Sequence, residues 1–136
     1  MANKLRIGII GCGGIANQKH MPSLARLSDQ VDLVAFCDIV EERAREAAAK
    51  YGTEDASVYA DYRDLLADAS IDIVHVLTPN RSHSEISVAA LEAGKHVMCE
   101  KPMAKTAADA RAMVAAAERT GKKLCIGYQN RYRADS

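Results

Sequence analysis

The chain reads as an α/β protein built on a doubly wound, all-parallel sheet of about six strands. Three observations predict this. Short apolar runs alternate with longer helical patterns through most of the 136 residues. Strands separated by helices must pair in parallel, with right-handed crossovers that place helices on both faces of the sheet. The first apolar run meets a glycine cluster, Gly11, Gly13 and Gly14, and the sequence turns helical directly after it. Residues 71–77 are a nearly continuous apolar run, the mark of a central strand covered on both sides.

Taken in order, residues 5–10 form the first strand. Residues 15–27 follow as a helix, and Pro22 removes a backbone donor inside it, so a kink or a restart is expected near Met21. The second strand is 31–37, and residues 40–51 make an alanine-rich helix with acids at its start and Gly52 as its stop. A short third strand is expected at 58–60 and a short helix at 61–67. The fourth strand, 71–77, ends at Pro79, which has no N–H to donate to a ladder. A helix over 82–93 stops at Gly94, and strand five covers 96–99. The last helix, 106–120, opens on a Thr106-x-x-Asp109 capping box and stops at Gly121. Strand six is expected at 124–128. The predicted order is 3-2-1-4-5-6, with a ligand crevice where the order reverses, beside strands one and four.

Composition bounds the function. Nearly half of the residues are apolar, about a quarter are charged, and the formal net charge is zero. The chain therefore carries no overall positive charge for nucleic acid or an anionic membrane. No apolar run approaches the ~18 residues of a spanning helix. The first ten residues lack the plan of a signal peptide, so the cytoplasm is the expected compartment. The cysteines (Cys12, Cys37, Cys99 and Cys125) are widely spaced with no C-x-x-C pair, and they read as small buried thiols. No spacing suits a metal site, and no serine sits in a nucleophile elbow.

The chemistry concentrates in three loops expected at the carboxyl ends of the strands, 11–14, 78–83 and 100–102. Gly11-x-Gly13-x-x-Ala16 is the dinucleotide fingerprint with alanine in its third small position. Gly11 turns the chain off the strand, Gly13 lets a pyrophosphate approach bare backbone, and Ala16 lets the helix pack close to the sheet. The helix N-terminus then offers N–H groups to phosphate. Asp38 ends strand two about 20 residues further on, where an acid bonds the adenosine ribose hydroxyls. It equally fits an N-cap of the next helix. In the third loop, Lys101 follows a buried strand and could polarise a substrate oxygen or stand as a solvated surface lysine. Glu100 could neutralise it or cap a helix. His83 is either a hydrogen-bond donor to a ligand or an exposed residue on a first helical turn. His75 reads as a satisfied core histidine. His20 lies near the glycine helix, and position alone does not decide whether it faces the crevice.

Together these segments resemble the nucleotide-binding domain of the Gfo/Idh/MocA oxidoreductases. The matching stretches are IGIIGCGGIA, FCDIVEERA, VLTPNRSHSEISVAALEAGKHVMCEKPMA and GYQNRY. The resemblance implies a Rossmann-type fold and a set of roles. Gly11, Cys12, Gly13, Gly14, Ile15 and Ala16 would hold the pyrophosphate and Asp38 the ribose. Thr78, Pro79, Asn80 and His83 would line the nicotinamide side. Glu100 and Lys101 form the EKP motif, its lysine the catalytic residue beside nicotinamide and substrate, and a cis Lys101–Pro102 bond is permitted. Gln129, Asn130 and Arg131 would lie near the mouth of the cleft. The implied reaction is hydride transfer between nicotinamide and a secondary alcohol of a sugar, cyclitol or sugar derivative. Asp38 followed by Ile39 favours NAD over NADP.

Family members are more than twice this length, so residues 1–136 correspond to the NAD(P)-binding domain, and 129–136 begin the link to a C-terminal substrate domain that is missing here. The isolated chain is therefore expected to bind NAD but to turn over slowly or not at all. The sheet face which that domain would cover is expected to expose apolar surface and to favour a homo-oligomer. Two other readings stand beside the enzyme: a stand-alone NAD-binding or sensing module, and an S-adenosylmethionine methyltransferase, against which the EKP segment argues.

Overall fold

The structure, a computed structural model, describes residues 4–101 and 104–127, with Asn80 described by its backbone alone. Six strands form one parallel sheet: β1 (Leu5–Ile10), β2 (Val31–Cys37), β3 (Ser57–Tyr59), β4 (Ile73–Val76), β5 (His96–Glu100) and β6 (Leu124–Gly127). Their order is β3-β2-β1-β4-β5-β6, as the alternation predicts. The order reverses between β1 and β4, which pair in parallel from Ile7 with Ile73 to Ile10 with Val76. A register shift between Ile7 and Gly8 lets β1 and β2 stay paired while Leu33 faces one side of the sheet and both Val34 and Ala35 face the other.

Each face has its own core. One side packs α3 (Tyr62–Leu66), α4 (His83–Glu92) and α5 (Ala107–Thr120) over Ile10, Val74, Val76, Val97 and Cys99. The other packs the first helix and α2 (Glu41–Tyr51) over Ile7, Ile9, Leu33 and Phe36. Phe36, the chain's only phenylalanine, is fully buried there. Full burial of such a side chain contributes roughly 2–3 kcal/mol.

The first helix departs from simple periodicity. It is helical from Gly14, takes π winding over Ala16–His20, and restarts as α1 (Met21–Ala25) with Pro22 in its first turn. That restart is the one expected near Met21. The Met21 N–H still donates to the Ala16 carbonyl, closing the π turn, and Pro22, which has no N–H to place, follows directly where the α winding resumes. The caps follow the sequence closely. The Thr106 hydroxyl accepts from the Asp109 N–H at 3.0 Å, and Gly121 ends α5 at φ 72°. Gly52 ends α2 in an extended conformation rather than a left-handed one.

Element ends differ by a residue or two from expectation. β4 covers less than 71–77: Ile71 is buried ahead of the strand, and Leu77 follows it, its N–H still bonding the Ile10 carbonyl at 2.8 Å. β5 runs one residue further, to Glu100, because Glu100 pairs in register with Gly127. Residue 128, the expected end of strand six, lies outside the described residues, as do Pro102 and its peptide bond and residues 129–131. Cys12, Cys37 and Cys99 are buried as expected, but Cys125 is exposed on β6. Among the described residues, no helix is long and apolar enough to cross a membrane.

Candidate dinucleotide site

A cleft of about 700 Å³ opens at the carboxyl edge of the sheet, where the strand order reverses. Gly11 and Gly13 form its floor with Ile10, Cys37 and Leu77. Asp38, Ile39 and Arg43 border it beyond β2, and Thr78, Pro79, Arg81 and Ser82 border it beyond β4. The outer wall is Asp61, Tyr62 and Arg63 at the start of α3, with Glu85 on α4. Tyr62 on α3 and Glu85 on α4 stand together at this wall. Burial first, then the charge of that carboxylate, pushes the Tyr62 phenol up.

The glycine turn is built as its spacing predicts. Gly11 sits at φ 97°, and a Cβ there would come within 2.8 Å of the Leu77 carbonyl carbon. Only glycine combines that conformation with that approach to the neighbouring strand. Gly13 is different: a Cβ built on it meets no protein atom within 4 Å, although the residue lines the cleft. The open space on this backbone is what a diphosphate would fill. The Asn17 amide nitrogen donates to the Cys12 and Gly13 carbonyls, both at 2.9 Å, and holds the turn in shape. Ala16 is fully buried against the sheet.

Asp38 joins the turn to β2. Its Oδ2 accepts from the Cys12 N–H at 2.8 Å and its Oδ1 from the Val40 N–H at 2.8 Å. The N-cap of α2 is Val40, so the capping role open to Asp38 in the sequence is not its place. The acid instead orders both the glycine loop and the β2–α2 corner while bordering the cleft. Burial, followed by the Asp38 charge, pushes both the Cys12 and Cys37 thiols up to about 12.

The other sequence-selected residues divide. Thr78 and Pro79 line the cleft. His83 is almost fully buried, and its Nε2 meets the Thr78 carbonyl at 2.8 Å, so it is not the exposed first-turn residue of one reading. It shapes the loop after β4 from behind. Cys12 is buried, and Gly14 and Ile15 lie in the first turn of the helix behind the glycine loop. Lys101 is exposed at the end of β5. Glu100 neither caps a helix nor faces Lys101: its Oε2 accepts from His20 Nε2 at 2.5 Å. Behind that pair, His20 Nδ1 lies 3.4 Å from His75 Nδ1. His75 is the buried histidine expected, and burial, with His20 adding a smaller push, lowers it to about 4.

Sequence reasoning did not select Arg43, Tyr62, Arg63, Arg81 or Glu85. Each lies within a few residues of the carboxyl end of a strand or at the start of the next helix, and that position was the available signal. Among the described residues, no group of three or more His, Cys, Asp or Glu side chains could hold a metal ion.

Comparison with known proteins agrees with this geometry. Inositol 2-dehydrogenase of Salmonella typhimurium is 43% identical over 129 residues, covering 94% of this chain and 38% of that protein. The WlbA dehydrogenase of Bordetella pertussis, solved with NADH and UDP-GlcNAcA, superposes with a TM-score of 0.88 at 33% identity. That match covers 97% of this chain and 39% of the other. KijD10, a 3-ketoreductase of Actinomadura kijaniata solved with NADP and TDP-benzene, superposes at 0.88 with 28% identity, covering 98% and 41%. The chain thus spans about two fifths of the proteins it matches. A family model described as "Oxidoreductase family, NAD-binding Rossmann fold" matches residues 5–128, and the chain belongs to that family, the Gfo/Idh/MocA oxidoreductases.

Proposed function

We propose that this chain is the cofactor domain of an NAD-dependent dehydrogenase acting on a secondary alcohol of a sugar, cyclitol or sugar derivative. The observation that carries the reading is the joint placement of Gly13 and Asp38: bare backbone facing a cleft, and a fixed carboxylate at its border. The side of the cleft beyond β2 suits adenosine, with Asp38 accepting from ribose hydroxyls and Tyr62 and Ile39 offering apolar surface beside it. The diphosphate crosses Gly11–Gly13 and the start of the first helix. The nicotinamide half then extends past Thr78 and Pro79 toward Glu100 and Lys101, with Asn80 on the same loop. The bound dinucleotide supplies the hydride chemistry. Lys101 supplies a cation where the alcohol oxygen gathers negative charge and a proton must move.

NAD is the proposed cofactor. A 2′-phosphate would sit against the Asp38 carboxylate, and the side chain of its neighbour Ile39 offers no donor. Arg43 borders the same cleft beside the β2–α2 corner, as Arg63 and Arg81 do on its other walls, and is the cation nearest in sequence to Asp38 that a 2′-phosphate would use. Asp38 outweighs it because backbone N–H groups lock the carboxylate in place, whereas Arg43 is exposed. Calorimetric titration with NAD and NADP tests this, and tighter NADP binding overturns it. Turnover is proposed to need the portion of the relatives that this chain does not span. A module without chemistry finds no support in relatives that are dehydrogenases and reductases by name. Robust activity from residues 1–136 alone would refute the dependence on that further portion.

A further inference from the structure

We infer that His20 is a positioning residue for Lys101: it pairs with Glu100 and so fixes the β5 end that presents Lys101 to the nicotinamide half of the site. The inference rests on the proposed cofactor reading. Three elements meet at this point, the π-wound turn of the first helix, β4 and β5, joining residues 80 and 55 positions apart. Glu100 and His20 side chains are only 11% and 14% exposed. A carboxylate only accepts, so His20 donates from Nε2. Its Nδ1 then faces His75, whose ring stands edge-on at 5.6 Å and 81°. On the far side, Gly127 is the register partner of Glu100, and a Cβ there would lie 3.6 Å from Glu100 Oε2. Gly127 thus lies at ordinary contact distance from the carboxylate on one side, while His20, backed by His75, holds it on the other.

A carboxylate this enclosed needs its partner: without His20 it swings toward water, and Lys101 is the next residue along the backbone. The pair does not line the adenosine cleft. Its loss should therefore be felt at one end of a dinucleotide and not at the other.

The test compares NADH with ADP-ribose, which shares the adenosine and diphosphate but lacks nicotinamide, on the wild-type chain and on His20→Ala and His20→Gln. His20→Ala is expected to weaken NADH about tenfold, the value of a charge-assisted hydrogen bond, and to leave ADP-ribose within about twofold. His20→Gln, which keeps an N–H donor, restores most of the loss. A ¹³C-dimethyl label on Lys101, assigned with Lys101→Arg, shifts in His20→Ala and returns in His20→Gln. Glu100→Gln gives the same split should His20→Ala fail to fold. Equal weakening of both ligands, no weakening of either, or an unmoved Lys101 signal overturns the inference while the cofactor reading stands. A wild-type chain that binds neither ligand overturns both.

Discussion

Asp38 holds two backbone N–H groups and is the proposed acceptor for the cofactor ribose, and its substitution should show both roles. Asp38→Asn keeps one acceptor oxygen but loses the charge that holds the Cys12 and Val40 N–H groups. Hydrogen bonds to a charged group contribute about 1.5–3 kcal/mol each. Affinity for NAD should fall about tenfold or more, read by calorimetry, with a smaller loss of stability in urea. The NADP affinity of the variant should fall less, because the repulsion of a 2′-phosphate is removed too. The cysteines give a second residue-scale prediction. Cys12 and Cys37 are buried with thiols pushed up to about 12, and Cys99 is buried and pushed up to about 11. Only the thiolate is reactive, so a native thiol titration near pH 8 should find one reactive cysteine, Cys125.

At the scale of the element, each helix end depends on one or two residues. Thr106→Ala removes the acceptor for the Asp109 N–H and should cost about 1 kcal/mol, measured by urea unfolding. Gly11→Ala is a harsher change. It places a methyl group within 2.8 Å of the Leu77 backbone at a φ of 97°. It should lower the melting temperature and abolish dinucleotide binding together, since the same turn joins β1 to the cleft. Gly13→Ala meets no protein atom. Its fold should stay within about 1 kcal/mol of the parent, while NAD binding should be lost because the methyl group enters the space proposed for the diphosphate. The contrast between these two glycines separates a structural requirement from a ligand requirement inside a three-residue loop.

For the whole molecule, His75 sets a pH dependence. Its folded pKa is lowered to about 4 from an ordinary 6.5 by burial and, less, by His20. The unfolded chain therefore binds a proton that the folded chain refuses between these values. Stability is unaffected above pH 7 and falls as the pH drops through 6.5 toward 4. Between pH 7 and pH 5 the His75 contribution should be a loss of about 2 kcal/mol. Urea melts at the two pH values measure it, and His75→Val should flatten the difference.

The sequence by itself determined the architecture. Alternation of apolar runs with helical patterns leaves few topologies, and the handedness of crossovers removes most of those, so strand order and the switch point were legible before any contact was known. It also determined the glycine turn, because Gly11, Gly13 and Ala16 act within one local segment. The tertiary structure alone decided what the isolated polar residues do. His20, His75 and Glu100 lie on three elements far apart in the chain, and no local spacing encodes their meeting. Tyr62 and Glu85 close the outer wall through a contact between two helices, for the same reason. Backbone preferences act over a few residues and can be read along a line, whereas a side chain's partner is set by packing across the sheet.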